Sequence, residues 1–169
     1  MILTNERGSS LGLIDILDAH TGEGKLHKAF SVFIFRKSES ELLLQKRSSE
    51  KMLFPGLWAN TCCSHPREGE SITEAGERRL QEELGFSCPL KEVSSFVYRA
   101  EDPLKRGIEH EYDTVLVGGV EEVEITADPK EIAECKWITL LDLQKDMVKN
   151  PDTYAPWFSL ALPLALFYA

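Results

Sequence analysis

Two apolar, partly β-branched runs, 28–36 (KAFSVFIFR) and 41–47 (ELLLQKR), are separated only by the polar Lys37-Ser38-Glu39-Ser40. Runs of that length and composition suit strands, and the short polar break suggests a hairpin. Further strand candidates lie at 93–99, 112–120 and 134–138. Ser71-Ile72-Thr73-Glu74 reads as a capping box, and the segment then runs through Arg78, Leu80, Glu82 and Glu83 to Gly85, a natural C-terminal stop. These signals predict a helix over 72–84. A second helix is expected after Thr139, with Asp142 three residues on, and a third after Pro156. Strands mixed with about three helices predict an α/β or α+β sandwich.

At 169 residues and 19.1 kDa, with no repeat and no linker-like stretch, the chain is expected to form one domain over 1–169. Its 19 Lys+Arg against 28 Asp+Glu give a formal charge of −9, which would repel a phosphate backbone. Nucleic acid is therefore not an expected partner. An anionic small molecule is compatible if metal ions and a few local cations neutralise it. The four cysteines, Cys62 beside Cys63 and the distant Cys88 and Cys135, do not make a disulfide framework, which fits a reducing compartment. The first twenty residues lack the features of a signal or transit peptide, so a cytoplasmic location is expected; a monomer is also expected. The apolar stretch 156–169 is too short to span a bilayer and contains Pro163, so a core-docking helix is expected and no membrane partner.

The predicted helix over 72–84 carries Glu74, Glu77, Glu82 and Glu83 and is preceded by Glu70. A solvated acidic face is the ordinary explanation for such a helix. The spacing says more: Glu70, Arg78, Leu80, Glu82, Glu83, Gly85 and Phe86 occupy seven of the nine specified positions of the Nudix box. That box resembles a device in which helical carboxylates hold Mg²⁺ against a diphosphate, hard oxygen ligands suiting a hard cation. Two positions depart from it. Ser64 stands where the box opens with Gly, and Arg79 stands where it has a further Glu.

Three of the four histidines lie near other candidate ligands: His20 and His27 in AHTGEGKLH, and His65 in TCCSHP. The fourth, His110, sits between Glu109 and Glu111 in IEHEYD. If that segment is extended, the two glutamates share one face and His110 takes the other. Three imidazoles and two carboxylates would make a mixed nitrogen and oxygen site for Mn²⁺, Mg²⁺, Fe²⁺ or Zn²⁺.

The stretches AHTGEGKLHKAFS, FPGLWANTCCSHP, RRLQEELG, EHEYD and APWF, in this order from about Asp18 to Phe158, resemble the type I, Nudix-like family of isopentenyl-diphosphate isomerases. The pairing of TCCSHP with EHE is specific to that family, whereas RRLQEELG alone indicates only Nudix. The resemblance implies a Nudix-like mixed β-sheet sandwich flanked by helices. It also implies interconversion of isopentenyl and dimethylallyl diphosphate by proton addition and removal, in isoprenoid biosynthesis. Carried over by position, it implies one divalent metal, Mn²⁺, Mg²⁺ or Zn²⁺, on His20, His27, His65, Glu109 and Glu111. A second ion, Mg²⁺, would join the substrate diphosphate to Glu83 and the carbonyl of Cys63. Cys63, as a thiolate, and Glu111 match the acid/base pair, Tyr98 a tyrosine near the acid, and Trp157 an aromatic facing the reacting carbons. Arg47, Lys51 and Arg79 match the diphosphate-contacting cations. The family's basic residue four positions before the first histidine is Ile16 here, with Lys25 as the candidate replacement.

Each residue also has a plainer explanation: Cys63 as one more buried thiol, Trp157 as a core anchor, and Arg47 and Lys51 as solvated strand-end charges. Asp113 and the pair Glu121–Glu122 are expected at the surface. Two other functions fit parts of the pattern. A Nudix pyrophosphohydrolase fits the box, and a catalytically silent metal-binding domain would explain Ile16.

Overall fold

A computed structural model describes residues 1–36 and 40–168. The strands are β1 (Ile2–Thr4), β2 (Ser10–Leu13), β3 (His27–Arg36), β4 (Glu41–Arg47), β5 (Trp58–Ala59), β6 (Cys62–Ser64), β7 (Lys91–Glu101), β8 (Ile108–Val120) and β9 (Ile132–Thr139). The helices are α1 (Ile16–His20), α2 (Ile72–Leu84), α3 (Leu140–Lys149) and α4 (Phe158–Leu166). The helix predicted over 72–84 is α2, with the Ser71/Glu74 capping box formed and Gly85 closing it at φ 77°. The two later helices start where expected, α3 capped by the Thr139 side chain. No helix among the described residues is long and apolar enough to cross a membrane.

Strand β3 is the centre of one mixed sheet. It runs parallel to β8 over ten residue pairs, from His27↔Glu111 to Arg36↔Val120. Strand β7 pairs antiparallel with the outer side of β8, and β9 pairs antiparallel with β4. Strands β3 and β4 pair only at Phe35↔Leu42 and Arg36↔Glu41, as a hairpin does, and the Lys37–Glu39 segment of the turn lies outside the described residues. Beyond those two pairs the strands diverge and β6 pairs with β3 instead. The sequence reads as continuous apolar runs because both faces are covered. Phe33, Phe35, Leu42 and Leu44 pack with α4 through Phe158 and Ala161. Val32, Ile34 and Leu43 pack with α2 through Leu80 and Leu84.

The gap between β3 and β4 is closed by side chains from the β5–β6 connection. Thr61 Oγ1 accepts from the Ile34 N–H at 2.9 Å and donates to the Leu43 carbonyl at 2.6 Å. Asn60 Nδ2 donates to the Val32 carbonyl at 3.1 Å. Backbone groups that the ladder leaves unpaired are thus satisfied inside the core, where an orphaned group is costly.

The elements without a sequence signal are short: β1, β2, α1, β5 and β6 each have five residues or fewer. Asp113 corrects the surface expectation. It is buried, and Ser31 Oγ donates to its Oδ2 at 2.7 Å. Glu121 and Glu122 are exposed as expected.

Asp102, buried at the turn between β7 and β8, joins that hairpin to the 48–57 segment. Its carboxylate accepts from the Phe54 and Leu104 N–H groups at 2.8 and 2.9 Å and from both Nε and Nη2 of Arg106. Phe54 needs the restraint, because its φ of 51° is a left-handed conformation that costs a non-glycine residue about 1–2 kcal/mol. The Arg106 guanidinium holds the Asp102 carboxyl down at about 2. A depressed carboxylate contributes stability that is present above its unfolded value of about 3.8 and is lost as pH falls through about 2. Asp102→Ala should destabilise the protein by about 1–3 kcal/mol at neutral pH. In denaturant titrations the difference between variant and wild type should shrink as pH falls from about 4 to 2; a difference constant with pH would show that the carboxylate charge is not what holds Phe54.

Candidate active site

One face of the sheet changes chemistry along its length. Around Phe33 and Val115 it is the apolar floor beneath α4. Following the same period-two positions back toward the strand starts, the residues become Ser31 and His27 on β3 and Asp113, Glu111 and Glu109 on β8. The parallel register sets His27 opposite Glu111, and the antiparallel register of β7 sets Tyr98 opposite the same glutamate. The last residue of α1 is His20, and the residue after β6 is His65.

The three imidazoles cluster with ring centroids 5.0, 5.1 and 6.0 Å apart. Ligand atoms of His20, His27 and His65 lie within 4.8 Å of one another, as do those of His27, Glu109 and Glu111. His20 Nδ1 is paired with the Ile108 carbonyl at 3.1 Å and His27 Nδ1 with the Lys25 carbonyl at 2.7 Å. Those outer bonds fix the tautomers and turn each Nε2 inward, an arrangement usual for metal-ligating histidines. His27 Nε2 and Glu109 Oε2 are then buried with no hydrogen-bond partner. Each lies near an opposite group, His27 Nε2 at 3.5 Å from Glu111 Oε1 and Glu109 Oε2 at 3.3 Å from His20 Nδ1, and two such buried atoms of ligand type without a hydrogen bond, converging in one cluster, fit a bound cation.

The electrostatics of the cluster agree. Burial alone would raise the Glu111 pKa, yet close contact with the His27 and His65 imidazoles, at 3.5 and 3.1 Å, holds it well below the usual carboxylate range. Burial, reinforced by the Glu111 charge, pushes Glu109 well above that range. Two carboxylates this close do not both ionise without a cation between them. Burial also lowers His20 and His65, so both are neutral, the form that ligates.

The cluster forms one end of a cavity of about 340 Å³ that is also lined by Arg47, Lys51, Cys63, Arg79, Tyr98 and Trp157. The Tyr98 hydroxyl donates to Glu111 Oε2 at 2.5 Å. The Trp157 ring packs against Tyr98 and Phe54 at centroid distances of 6.0 and 5.7 Å, with the Arg47 guanidinium 5.1 Å from its own centroid. Cys63 donates through Sγ to Asn60 Oδ1 at 3.0 Å. Burial pushes its pKa up to about 12, which corrects the thiolate expectation in favour of a thiol. Asn60 gave no sequence signal, since a lone buried amide has no motif of its own.

The cations are held by carboxylates. Arg79 pairs with Glu82, Glu83 and Glu131, and Lys51 also pairs with Glu131, a cavity residue the sequence did not mark. Glu83 Oε2 remains buried and unpaired beside them. Arg47 is not a solvated strand-end charge. It is buried, and it donates to the Leu53 and Phe54 carbonyls at 2.8 and 3.1 Å. Ile16 lines the cavity at 50% exposure, whereas the exposed Lys25 side chain is not part of the lining and does not replace a basic residue there. The other carboxylates in and just before α2 are structural: Glu74 caps the helix, Glu70 and Glu82 pair with Arg78, and Glu77 accepts from the Leu90 N–H.

The NUDIX domain family matches residues 25–158 of this chain. A Nocardia farcinica protein named isopentenyl-diphosphate Delta-isomerase is 41% identical over 163 residues, which cover 96% of this chain and 92% of that protein. The chain belongs to the isopentenyl-diphosphate Delta-isomerase family. A second member of that family, from Halorhodospira halophila, is 44% identical over 158 residues, covering 94% of this chain and 90% of its own. Among solved structures, a protein of Deinococcus radiodurans superposes with a TM-score of 0.74 over 96% of this chain and 97% of its own, at 20% identity. A MutT protein from Methanosarcina mazei gives 0.63 over 79% and 87%, at 18% identity. Those two likenesses concern the fold, which is the Nudix mixed sheet between helical layers.

For this isomerase-family chain the His/Glu cluster makes a direct prediction. Mn²⁺ or Zn²⁺ added to chelator-treated protein at about 100 times its Kd should stabilise it by about 2.7 kcal/mol, a rise in Tm of about 5–10 °C for a chain of this size. His27→Ala should lose that rise. Because burial lowers His20 and His65 from the ordinary imidazole value of about 6.5, the rise should persist below that pH and fade only on further acidification, as these imidazoles protonate. An unchanged rise in His27→Ala would place the ion elsewhere.

Proposed function

We propose that this protein interconverts isopentenyl and dimethylallyl diphosphate, an isomerisation of isoprenoid biosynthesis, by adding a proton at one carbon and removing another two carbons away. The observation that carries this reading is that a thiol, a tyrosine-bonded carboxylate, an indole and three cations line one cavity. The family membership supports it independently.

In this reading Arg47, Lys51 and Arg79 receive the diphosphate, whose binding energy orients the five-carbon tail. An unactivated alkene is a very weak base, so protonation needs a positioned acid in a site closed to water. Cys63 and Glu111 act as the acid/base pair. Burial keeps Cys63 a thiol and the lowered pKa keeps Glu111 a carboxylate, one donor and one acceptor. Tyr98 holds Glu111 in place and supplies a hydroxyl proton to its Oε2. Burial and the Glu111 charge keep that phenol protonated. The tertiary cation formed between the two transfers would be trapped by any nucleophile. The Trp157 face stabilises it without offering one.

His20, His27, His65, Glu109 and Glu111 would hold one divalent ion, Mn²⁺, Mg²⁺ or Zn²⁺. Glu83 and the Cys63 carbonyl would meet Mg²⁺ arriving with the substrate. Bound there, the ions would neutralise diphosphate charge and keep Glu111 oriented. A hydrolase built on α2 is disfavoured, because Arg79 occupies the position of a box carboxylate and pairs with Glu82 and Glu83.

Incubation with Mg²⁺ and isopentenyl diphosphate in heavy water should give dimethylallyl diphosphate carrying deuterium in the new methyl group, with no free phosphate. Cys63→Ala and Glu111→Gln should each lower kcat by about 10²–10⁴-fold. Only Glu111→Gln should also reduce metal content. Phosphate release without the isomer would assign the hydrolase instead.

A further inference from the structure

We infer that Asn60 is a positioning residue that holds the Cys63 thiol and the Trp157 indole to one another through a single oxygen, an inference that rests on the proposed isomerase reading. Asn60 is fully buried, and all four of its hydrogen-bonding capacities are used. Nδ2 donates to the carbonyls of Val32 and Cys62 at 3.1 and 2.8 Å. Oδ1 accepts from Cys63 Sγ at 3.0 Å and from Trp157 Nε1 at 3.1 Å.

The orientation of this amide follows from its partners. Two of them are carbonyls, which only accept, and one is an indole N–H, which only donates. A flipped amide would set oxygen against both carbonyls and nitrogen against the indole. No other side chain of similar size meets the same demand. Aspartate would oppose its charge to the Val32 and Cys62 carbonyls, and serine and alanine fall short of the second pair of partners.

The amide is also anchored to the central strand of the sheet, through the Val32 carbonyl. Its donors replace ladder bonds where β3 parts from β4, next to the Thr61 bridge between those strands. The oxygen therefore projects from the core toward the cavity at a set place. It fixes the thiol rotamer on β6 and the plane of an indole 97 residues further along the chain. A proton-transfer group and the ring facing the developing cation must keep a common geometry, and a misplacement of about 1 Å costs about 10²-fold in rate.

The test uses the full-length protein. Wild type and Asn60→Ala are compared for kcat and KM with isopentenyl diphosphate, affinity for inorganic pyrophosphate, metal content, and the infrared S–H band of Cys63, assigned by its loss in Cys63→Ser. The expected result is a fall in kcat of about 10–10²-fold, with KM, pyrophosphate affinity and metal content within about threefold of wild type. The S–H band should move to the frequency of a free thiol. A wild-type kcat in folded Asn60→Ala overturns the inference, and so does parallel loss of metal and pyrophosphate binding, which would make Asn60 merely structural. If Asn60→Ala does not fold, Trp157→Phe decides, because it removes one of the two donors that share the oxygen. The S–H band should then shift further from the free-thiol frequency, because Oδ1 no longer divides its acceptor capacity between two donors. A free-thiol band in wild type, or a band unmoved in Trp157→Phe, overturns it. The infrared arm needs no turnover, so an inactive wild type would reject the isomerase reading without deciding the role of Asn60.

Discussion

The parallel ladder between β3 and β8 carries the rest of the molecule. Its ten pairs set His27 beside Glu111 at one end and align Phe33 with Val117 toward the other. A one-residue slip would turn every side chain to the opposite face. His27 and Glu111 would then point away from Trp157, and the apolar positions of β3 would exchange the layers they pack against. Register in this protein is therefore both a folding constraint and a constraint on the site. The continuous apolar halves of the strands, covered by α2 on one face and α4 on the other, are what hold it.

A polar site at the end of an apolar face carries an energetic cost. Asp113, Glu109 and Glu83 are buried carboxylates whose pKa values burial raises, and each has an oxygen with no hydrogen-bond partner. Such groups are among the most destabilising features a core can hold unless a cation or a ligand satisfies them. Around them the structure is tightly tied. Arg47 and Asp102 grip the backbone of Phe54 from two sides, and Asn60 and Thr61 close the gap between β3 and β4. Rigidity of the surroundings is what keeps unpaired atoms facing one another, since a looser core would collapse around them.

Much of the architecture was legible because its signals are local. A capping box, a glycine stop and apolar runs lie within one element, so α2, β3 and β4 could be read directly from the chain. The short pieces β1, β2, α1, β5 and β6 were not legible, because two to five residues cannot display a period and their pairing partners are distant. Local reasoning also misjudged individual charges. Asp113 follows EHEY and looks like part of an acidic surface segment, yet alternation on β8 turns it inward to Ser31. Lys25 looked like a substitute cation, but its contribution is the carbonyl that orients His27.

The sequence by itself determined the chemical inventory: three histidines, two glutamates, a thiol and an indole in motifs whose order marks the family. It also determined that helices and strands would mix, because capping and periodicity act between near neighbours. Tertiary structure decided which of those groups meet and in what state. Burial kept Cys63 a thiol, contacts with the His27 and His65 rings lowered the Glu111 pKa, and Glu131 came to hold Lys51 and Arg79. Those outcomes depend on desolvation and on distances between residues far apart in the chain, quantities that exist only once the chain has packed.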